Sequence, residues 1–284
     1  MMIFWIASYP KSGNTWLRAL LSSYFYSEDG IFNQNLLKNI DQFPEKRHFS
    51  DFDYDPKIVT ETSKFWIKAQ NKINQNNKLN FLKTHNILGS INNNNFTNNK
   101  NTIGAIYIVR DPRNVLTSLQ NHYELSKDDA LKFILSEKKY IHDYHKKDDF
   151  SDFQFISSWE KNYKSWINQK IFPVKLIRYE DLSFKTLDIF MEIIEFIQNT
   201  TQEKIDFNYL KAQNCVETTN FENMKNMEKN DGFVESVLSK NDPKKIPFFH
   251  LGPKNDWKNV FDKNFQKRLY SIFENNLKEL NYLI

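Results

Sequence analysis

The chain has 284 residues, 40% of them hydrophobic, and its 25 Phe, 13 Tyr and 6 Trp supply enough apolar surface for a large core, which excludes a wholly disordered protein. A formal net charge of +4 from 39 basic and 35 acidic residues is too mild to imply a nucleic-acid partner, yet it suits an anionic small ligand. The single cysteine, Cys215, excludes an internal disulfide framework and a cysteine-rich metal site, in keeping with a reducing compartment.

The first element is a short continuous apolar run, Ile3-Phe4-Trp5-Ile6-Ala7, as expected of a buried parallel strand. Trp16, Leu17, Leu20, Leu21 and Tyr24 then recur at helical spacing. Between them Ser8-Tyr9-Pro10-Lys11-Ser12-Gly13-Asn14-Thr15 reads as a strand–loop–helix that holds a phosphate. Gly13 lets the backbone turn its N–H groups inward, the new helix adds its unpaired N–H groups, and Lys11 supplies a mobile charge. This is not a Walker A loop, because Lys11 precedes the glycine instead of following a second one.

The strand begins so early that a signal peptide has no room, and no run of about 18 apolar residues occurs, so a cytoplasmic location without membrane contact is expected. An irregular stretch from Ser27 to Pro56 carries Phe32, Phe43, Phe49, Phe52 and Tyr54 and reads as a folded lid or pocket wall. Asparagine-rich segments read as turns and loops. Leu79 to Thr84 is a short strand ending on Lys83-Thr84-His85, and Gly104 to Val109 is a clearer one ending on Arg110. Asp111-Pro112 is an N-cap followed by proline at the first helical position, opening a helix to about His122.

Further helices are expected over 128–145 and 153–168, then a strand Val174 to Arg178, a helix capped by Ser183 and a terminal helix over 263–280. His142 and His145 are three apart, but without a third ligand they read as a solvated helix face. The alternation implies an α/β fold, a central parallel sheet flanked by helices on both faces, and no Pro/Gly/Ser linker divides the chain into more than one domain over 1–284. All the polar clusters fall at the carboxyl ends of strands, where ligands bind in such sheets.

Taken together, Tyr9 to Trp16, Lys83-Thr84-His85, Arg110-Asp111-Pro112-Arg113-Asn114-Val115-Leu116-Thr117-Ser118 and Asp256-Trp257-Lys258-Asn259 resemble the sulfotransferase family, whose members transfer a sulfuryl group from 3′-phosphoadenosine 5′-phosphosulfate (PAPS) and release PAP. The resemblance implies that Lys11, Ser12, Gly13, Asn14, Thr15 and Trp16 hold the 5′ phosphosulfate end of the nucleotide. It assigns the 3′ phosphate to Arg110 and Ser118, and the surroundings of the adenine to Tyr179, Thr219 and Phe221. It makes His85 the general base, with Lys11 and Lys83 offsetting charge and Ser118 restraining Lys11 until acceptor binds.

A sulfuryl group carries less charge than a phosphoryl group, so lysines can suffice where kinases use Mg²⁺, and no metal is expected. The family's Arg-Lys-Gly triplet is here His250-Leu251-Gly252, which implies weaker or more pH-sensitive nucleotide binding unless Lys244, Lys245, Lys254 or Lys258 substitute. Asn255 stands where that motif has a second glycine. The acceptor is read as a small alcohol or phenol, with Phe248 and Phe249 leaning toward an apolar one; a carbohydrate or amine acceptor, or a Mg²⁺-dependent kinase, are the alternatives. The oligomeric state stays open.

Overall fold

In the computed structural model, which describes residues 2–202, 205–237, 239 and 245–282, the first apolar run forms β1 (Ile3–Ser8), buried along its whole length. It leads through the loop into α1 (Asn14–Tyr26). Then follow β2 (Asp41–Gln42), α2 (Trp66–Ile73), β3 (Asn80–Thr84), β4 (Ser90–Ile91), β5 (Asn94–Asn95) and β6 (Thr102–Val109). The second half contains α3 (Pro112–Tyr123), α4 (Lys127–Leu135), β7 (Tyr140–Ile141), β8 (Gln154–Phe155), α5 (Trp159–Ile167) and β9 (Val174–Arg178). After these come α6 (Tyr179–Phe184), α7 (Thr186–Thr201), α8 (Tyr209–Thr218), α9 (Phe221–Asp231), α10 (Trp257–Val260) and α11 (Lys263–Glu279).

Five strands pair in the order β2-β3-β1-β6-β9, all parallel. Because β1 is central, its alternate residues feed two cores. Trp5 and Ala7 pack with Tyr107, Trp159, Trp166, Leu269 and Phe273 on one face. Phe4 and Ile6 pack with Leu17, Leu20, Ile106, Ile193 and Ile197 on the other. Helices on both faces are what a sheet with two apolar surfaces requires.

The register sets the site. Ala7 lies beside Thr84 and Tyr107, and Val109 lies beside Arg178, so Ser8, His85, Arg110 and Tyr179 all leave the sheet at one edge. The chain departs from β1 toward β3 on one side, and β6 and β9 extend the sheet on the other, which leaves a crevice at the carboxyl end of β1.

Three helix boundaries differ from expectation. The helix expected over 128–145 stops at Leu135, where the polar run Ser136-Glu137-Lys138-Lys139 interrupts its apolar stripe, and β7 pairs with β8 in an antiparallel hairpin. The helix expected from 153 starts only at Trp159, after the left-handed Ser157, and Ser158 caps it by accepting from Lys161 N. Ser183 does not cap the helix expected after it: it lies within α6, which begins directly off β9, and α7 starts at Thr186 after Lys185 without a side-chain cap. The asparagine run forms the β4–β5 hairpin, with Asn92 and Asn93 both at positive φ, the backbone that two-residue hairpin turns demand.

Asp111 caps α3 as expected, accepting from Arg113 N at 2.9 Å, and its carboxylate also takes a two-pronged bond from the Arg113 guanidinium at 2.9 and 2.7 Å. Both residues are buried. Removing the carboxylate strips the cap and leaves a buried cation, so Asp111→Ala should destabilise the fold by about 3–5 kcal/mol in urea unfolding followed by tryptophan fluorescence.

Candidate active site

The loop from Ser8 to Gly13 bends through two left-handed residues, Lys11 at φ +66° and Gly13 at φ +99°. A Cβ on Gly13 would lie 2.5 Å from Tyr179 Cδ2, so packing as well as dihedral requires glycine there. No side chain caps the start of α1, and Ser12 Oγ is buried without a partner. Unspent donors at a helix N-terminus fit an oxyanion. The Asn14 amide is used differently, its Nδ2 donating to Ile6 O at 3.0 Å and Ser8 Oγ at 3.2 Å, so this side chain braces the loop against β1.

His85 Nδ1 lies 2.8 Å from Ser8 O. A carbonyl only accepts, so Nδ1 carries the hydrogen and Nε2 keeps its lone pair. The main chain of His85 is pinned as well, its N–H donating to Gln154 Oε1 at 2.7 Å and its carbonyl accepting from Asn162 Nδ2 at 3.0 Å. Burial, then the neighbouring Lys83 charge, pushes the imidazole well below its ordinary range, so the ring is neutral near pH 7. Lys83 is itself lowered by burial, and its Nζ donates to Gln42 Oε1 at 2.9 Å.

Lys11 Nζ lies 3.4 Å from His122 Nδ1 and 4.0 Å from the centre of the Phe248 ring. Burial brings it down to about 7, Glu235 opposing this and Arg110 and Lys83 adding to it. His122 is pushed down to about 3, chiefly by burial and then by Lys11. Ser118, expected to restrain Lys11, instead meets Arg110 NH1 at 3.3 Å and Asn255 Nδ2 at 3.3 Å; the residue one helical turn beyond it, His122, holds the lysine.

Arg110 donates to Lys11 O at 3.3 Å as well, and its guanidinium sits 4.2 Å from the centre of the Tyr179 ring, while its buried Nε has no partner. An arginine fork beside a hydroxyl with a donor to spare suits a second phosphate. Trp16 meets Tyr179 edge-on at 5.8 Å. Thr219 is fully buried, with its hydroxyl donating to Cys215 O at 2.7 Å, so its proton is spent on the end of α8. Phe221 covers Gly252, where a Cβ would lie 2.2 Å from the ring.

One cavity of about 800 Å³ takes in Lys11, Trp16, Lys83, His85, Arg110, Ser118, Tyr179, Thr219, Phe221, His250, Leu251 and Gly252. Lys245, Lys254 and Lys258 do not line it, and Lys244 lies outside the described residues. Asn255 compensates differently from a glycine. Its side chain bonds Thr117 Oγ1 at 2.7 Å and Asn114 O at 3.0 Å, tying the last loop to α3. The aromatic residues of 27–56 are not the wall that was expected. Phe43 and Phe49 anchor the segment in the core, while Asp41, Gln42, Glu45 and Arg47 face the cavity. Phe248 and Phe249 both line the cavity, and Phe249 also packs against Phe221, Phe233 and Met224.

The residue least visible in the sequence is Glu235. Its carboxylate accepts from Thr15 Oγ1 at 2.5 Å and from the Arg18 guanidinium; against the effect of burial, the Arg18 and Lys83 charges and these hydrogen bonds hold it down at about 2. It stands some 220 residues from Thr15 in a segment without helical or strand periodicity, so no local pattern marks it. Arg18 does carry a signal, a charge on the buried side of α1, and it is spent on Glu235, Leu37 O and Ile40 O.

Against known proteins, the sequence matches the family model described as Sulfotransferase domain over residues 3–281. Among curated proteins there is no match. Similar solved structures include retinol dehydratase with androsterone and the inactive cofactor PAP, at 17% identity and TM-score 0.59, over 97% of this chain and 80% of that one. Mouse sulfotransferase SULT7A1 complexed with PAP is similar at 18% identity and TM-score 0.56, over 97% and 84% of the two chains. Retinol dehydratase with retinol and PAP gives 17% identity and TM-score 0.59, over 97% and 81%. At these identities the likeness is one of fold.

The Glu235 carboxylate takes donors at the start of α1 that an incoming anion would also use. Glu235→Gln should therefore tighten inorganic sulfate binding about tenfold at pH 7, read by calorimetric titration, because a neutral amide competes less well for charged donors. Unchanged affinity would show that the carboxylate stays out of the anion's path.

Proposed function

This chain belongs to the sulfotransferase family, whose chemistry is sulfuryl transfer from PAPS, and we propose that it sulfates a hydroxyl of a small molecule with His85 as the general base. The observation that carries this reading is the meeting of Lys11, Lys83 and a tautomerically fixed His85 in one cavity at the strand ends.

The residues present fit the donor. The uncapped start of α1, with Ser12 Oγ and Thr15 Oγ1, would take the 5′ end. Arg110, its Nε still unpaired, and Ser118 would take the 3′ phosphate, and Trp16, Tyr179 and Phe221 would flank the adenine. PAPS supplies, when bound, a sulfuryl group on a phosphate leaving group: the bond from sulfur to the phosphate oxygen breaks and one to the acceptor oxygen forms. His85 Nε2 takes the hydroxyl proton, since Nδ1–H is committed to Ser8 O. Lys11 and Lys83 face the charge that develops, in a buried site where such charges act strongly. PAP and a sulfate monoester are the products. The retinol dehydratase complexes hold androsterone and retinol, which agrees with a small-molecule acceptor here.

His85→Ala should lower turnover by at least about 100-fold, as loss of a general base does, with PAP affinity by calorimetry unchanged. Near-normal turnover would remove His85 from that role. Lys11→Ala should weaken both.

Lys11 supplies a pH signature. Held at about 7 in the free protein, it is partly neutral at pH 7.5, and an anion beside it favours the charged form and raises its pKa. PAP binding at pH 7.5 should thus take up a proton fraction, seen as a calorimetric enthalpy that varies with the ionisation enthalpy of the buffer. In Lys11→Met that variation should shrink, leaving only what the lowered Lys83 contributes.

A further inference from the structure

The side chain that pins His85 from the hairpin is only half used. Gln154 lies on β8 opposite Ile141 of β7, is 2% exposed, and lines the same cavity as His85. Its Oε1 accepts from His85 N at 2.7 Å. A backbone N–H needs an acceptor, so this contact fixes which end of the amide is oxygen and turns Nε2 away from the His85 main chain. Nε2 makes no hydrogen bond among the described residues, and it is not one of their sealed unpaired polar atoms, as Asn86 Nδ2 is. An amide donor is therefore left open to the cavity beside the base.

The frame around this donor is tightly bonded. Phe155 N donates to Asn86 Oδ1 at 2.8 Å, and Ile87 N donates to Phe155 O at 2.8 Å. On the other side Asn162 Nδ2 donates to His85 O at 3.0 Å and to Ile156 O at 2.8 Å, while its Oδ1 accepts from Tyr107 OH at 2.7 Å. Asn162 is fully buried. The end of β3, the strand β8 and the helix α5 thus form one unit in which the base and the Gln154 amide keep a fixed relation. The amide of Asn14, by contrast, has its Nδ2 spent on Ile6 O and Ser8 Oγ.

We infer that Gln154 Nε2 holds the acceptor oxygen beside His85 Nε2 and selects oxygen over nitrogen acceptors. This rests on the sulfuryl-transfer reading above. A hydroxyl brings one proton and two lone pairs. Its O–H donates to His85 Nε2, one lone pair accepts from Gln154 Nε2, and the other forms the bond to sulfur. The bond from sulfur to the phosphate oxygen breaks as that one forms, its electron pair leaves on PAP, and the hydroxyl proton ends on His85 Nε2. An uncharged amine has a single lone pair, which the attack consumes. Gln154 Nε2 would then face an N–H, and two donors would be left unpaired in a buried place.

Gln154→Glu separates the two duties of this side chain, because a carboxylate still accepts from His85 N but offers the cavity no donor; Gln154→Met removes both. The full chain is assayed with labelled PAPS and matched probes, phenol against aniline and 2-naphthol against 2-naphthylamine, the amines being uncharged at pH 7.5. Each variant should lower kcat/KM for the hydroxyl about tenfold relative to its amine, the worth of one hydrogen bond left unmade, with PAP affinity by calorimetry unchanged. In nitrogen-resolved NMR of the PAP-bound protein, the side-chain amide signal that Gln154→Glu removes should shift when 2-naphthol is added and stay in place with 2-naphthylamine. A purely structural role for Gln154 would move neither the hydroxyl-to-amine ratio nor that signal. An unchanged ratio in either variant, an unmoved amide signal, or no transfer to either hydroxyl would overturn the proposal while PAP binding upheld the sulfotransferase reading. Failure to bind PAP would overturn both.

Discussion

Buried positive charge governs this molecule. Parallel strands β1, β3 and β6 end side by side, and they bring Lys11, Lys83 and Arg110 together with Arg18 from α1 around one cavity. So many cations cannot share a desolvated site unless an anion joins them or some give up their protons. Both happen. Glu235 supplies a carboxylate from a remote segment, and Lys11, Lys83, His85 and His122 are all driven toward their neutral forms. A site arranged this way is already matched to an anionic ligand, since binding one restores the charge that burial takes away.

The same constraint explains how individual residues divide their labour. Groups that must stay put are bonded to backbone: His85 to Ser8, Asn14 to Ile6, Asn255 to Asn114. Groups that must respond carry weak or replaceable contacts, such as Lys11 on His122 and on the Phe248 ring. At 250 and 251 the cavity is lined by His250 and Leu251, beside Gly252, Arg110 and Ser118. Asn255 stiffens that loop where a glycine would have left it free.

The part of the cavity between the 41–47 segment and the β7–β8 hairpin obeys a different rule. Its charges are paired, polar and set on loops between 41 and 47 and between 142 and 152, held to one another by bonds at the rim. Loops of this kind decide specificity while the sheet decides chemistry, because the sheet edge is fixed by packing and the loops by their own side chains.

Much of this was legible without a structure. The apolar runs Ile3 to Ala7 and Gly104 to Val109, the Asp111-Pro112 helix start and the polar residues after each strand together specified a parallel α/β sheet and the edge at which its cavity opens, because strand burial and helix capping are local and leave periodic or positional marks. Lys11, Lys83, His85 and Arg110 were readable for the same reason: His85 and Arg110 directly follow β3 and β6, Lys83 is the penultimate residue of β3, and Lys11 lies three residues past β1. What only the tertiary structure decided lies in long-range pairs. Glu235 against Thr15 and Arg18, His122 beneath Lys11, and the 41–47 segment facing the hairpin loop have no local pattern, since their partners are brought together by the closing of the fold. Sequence periodicity reports which face of an element is buried; it carries no record of which distant side chain will be waiting there.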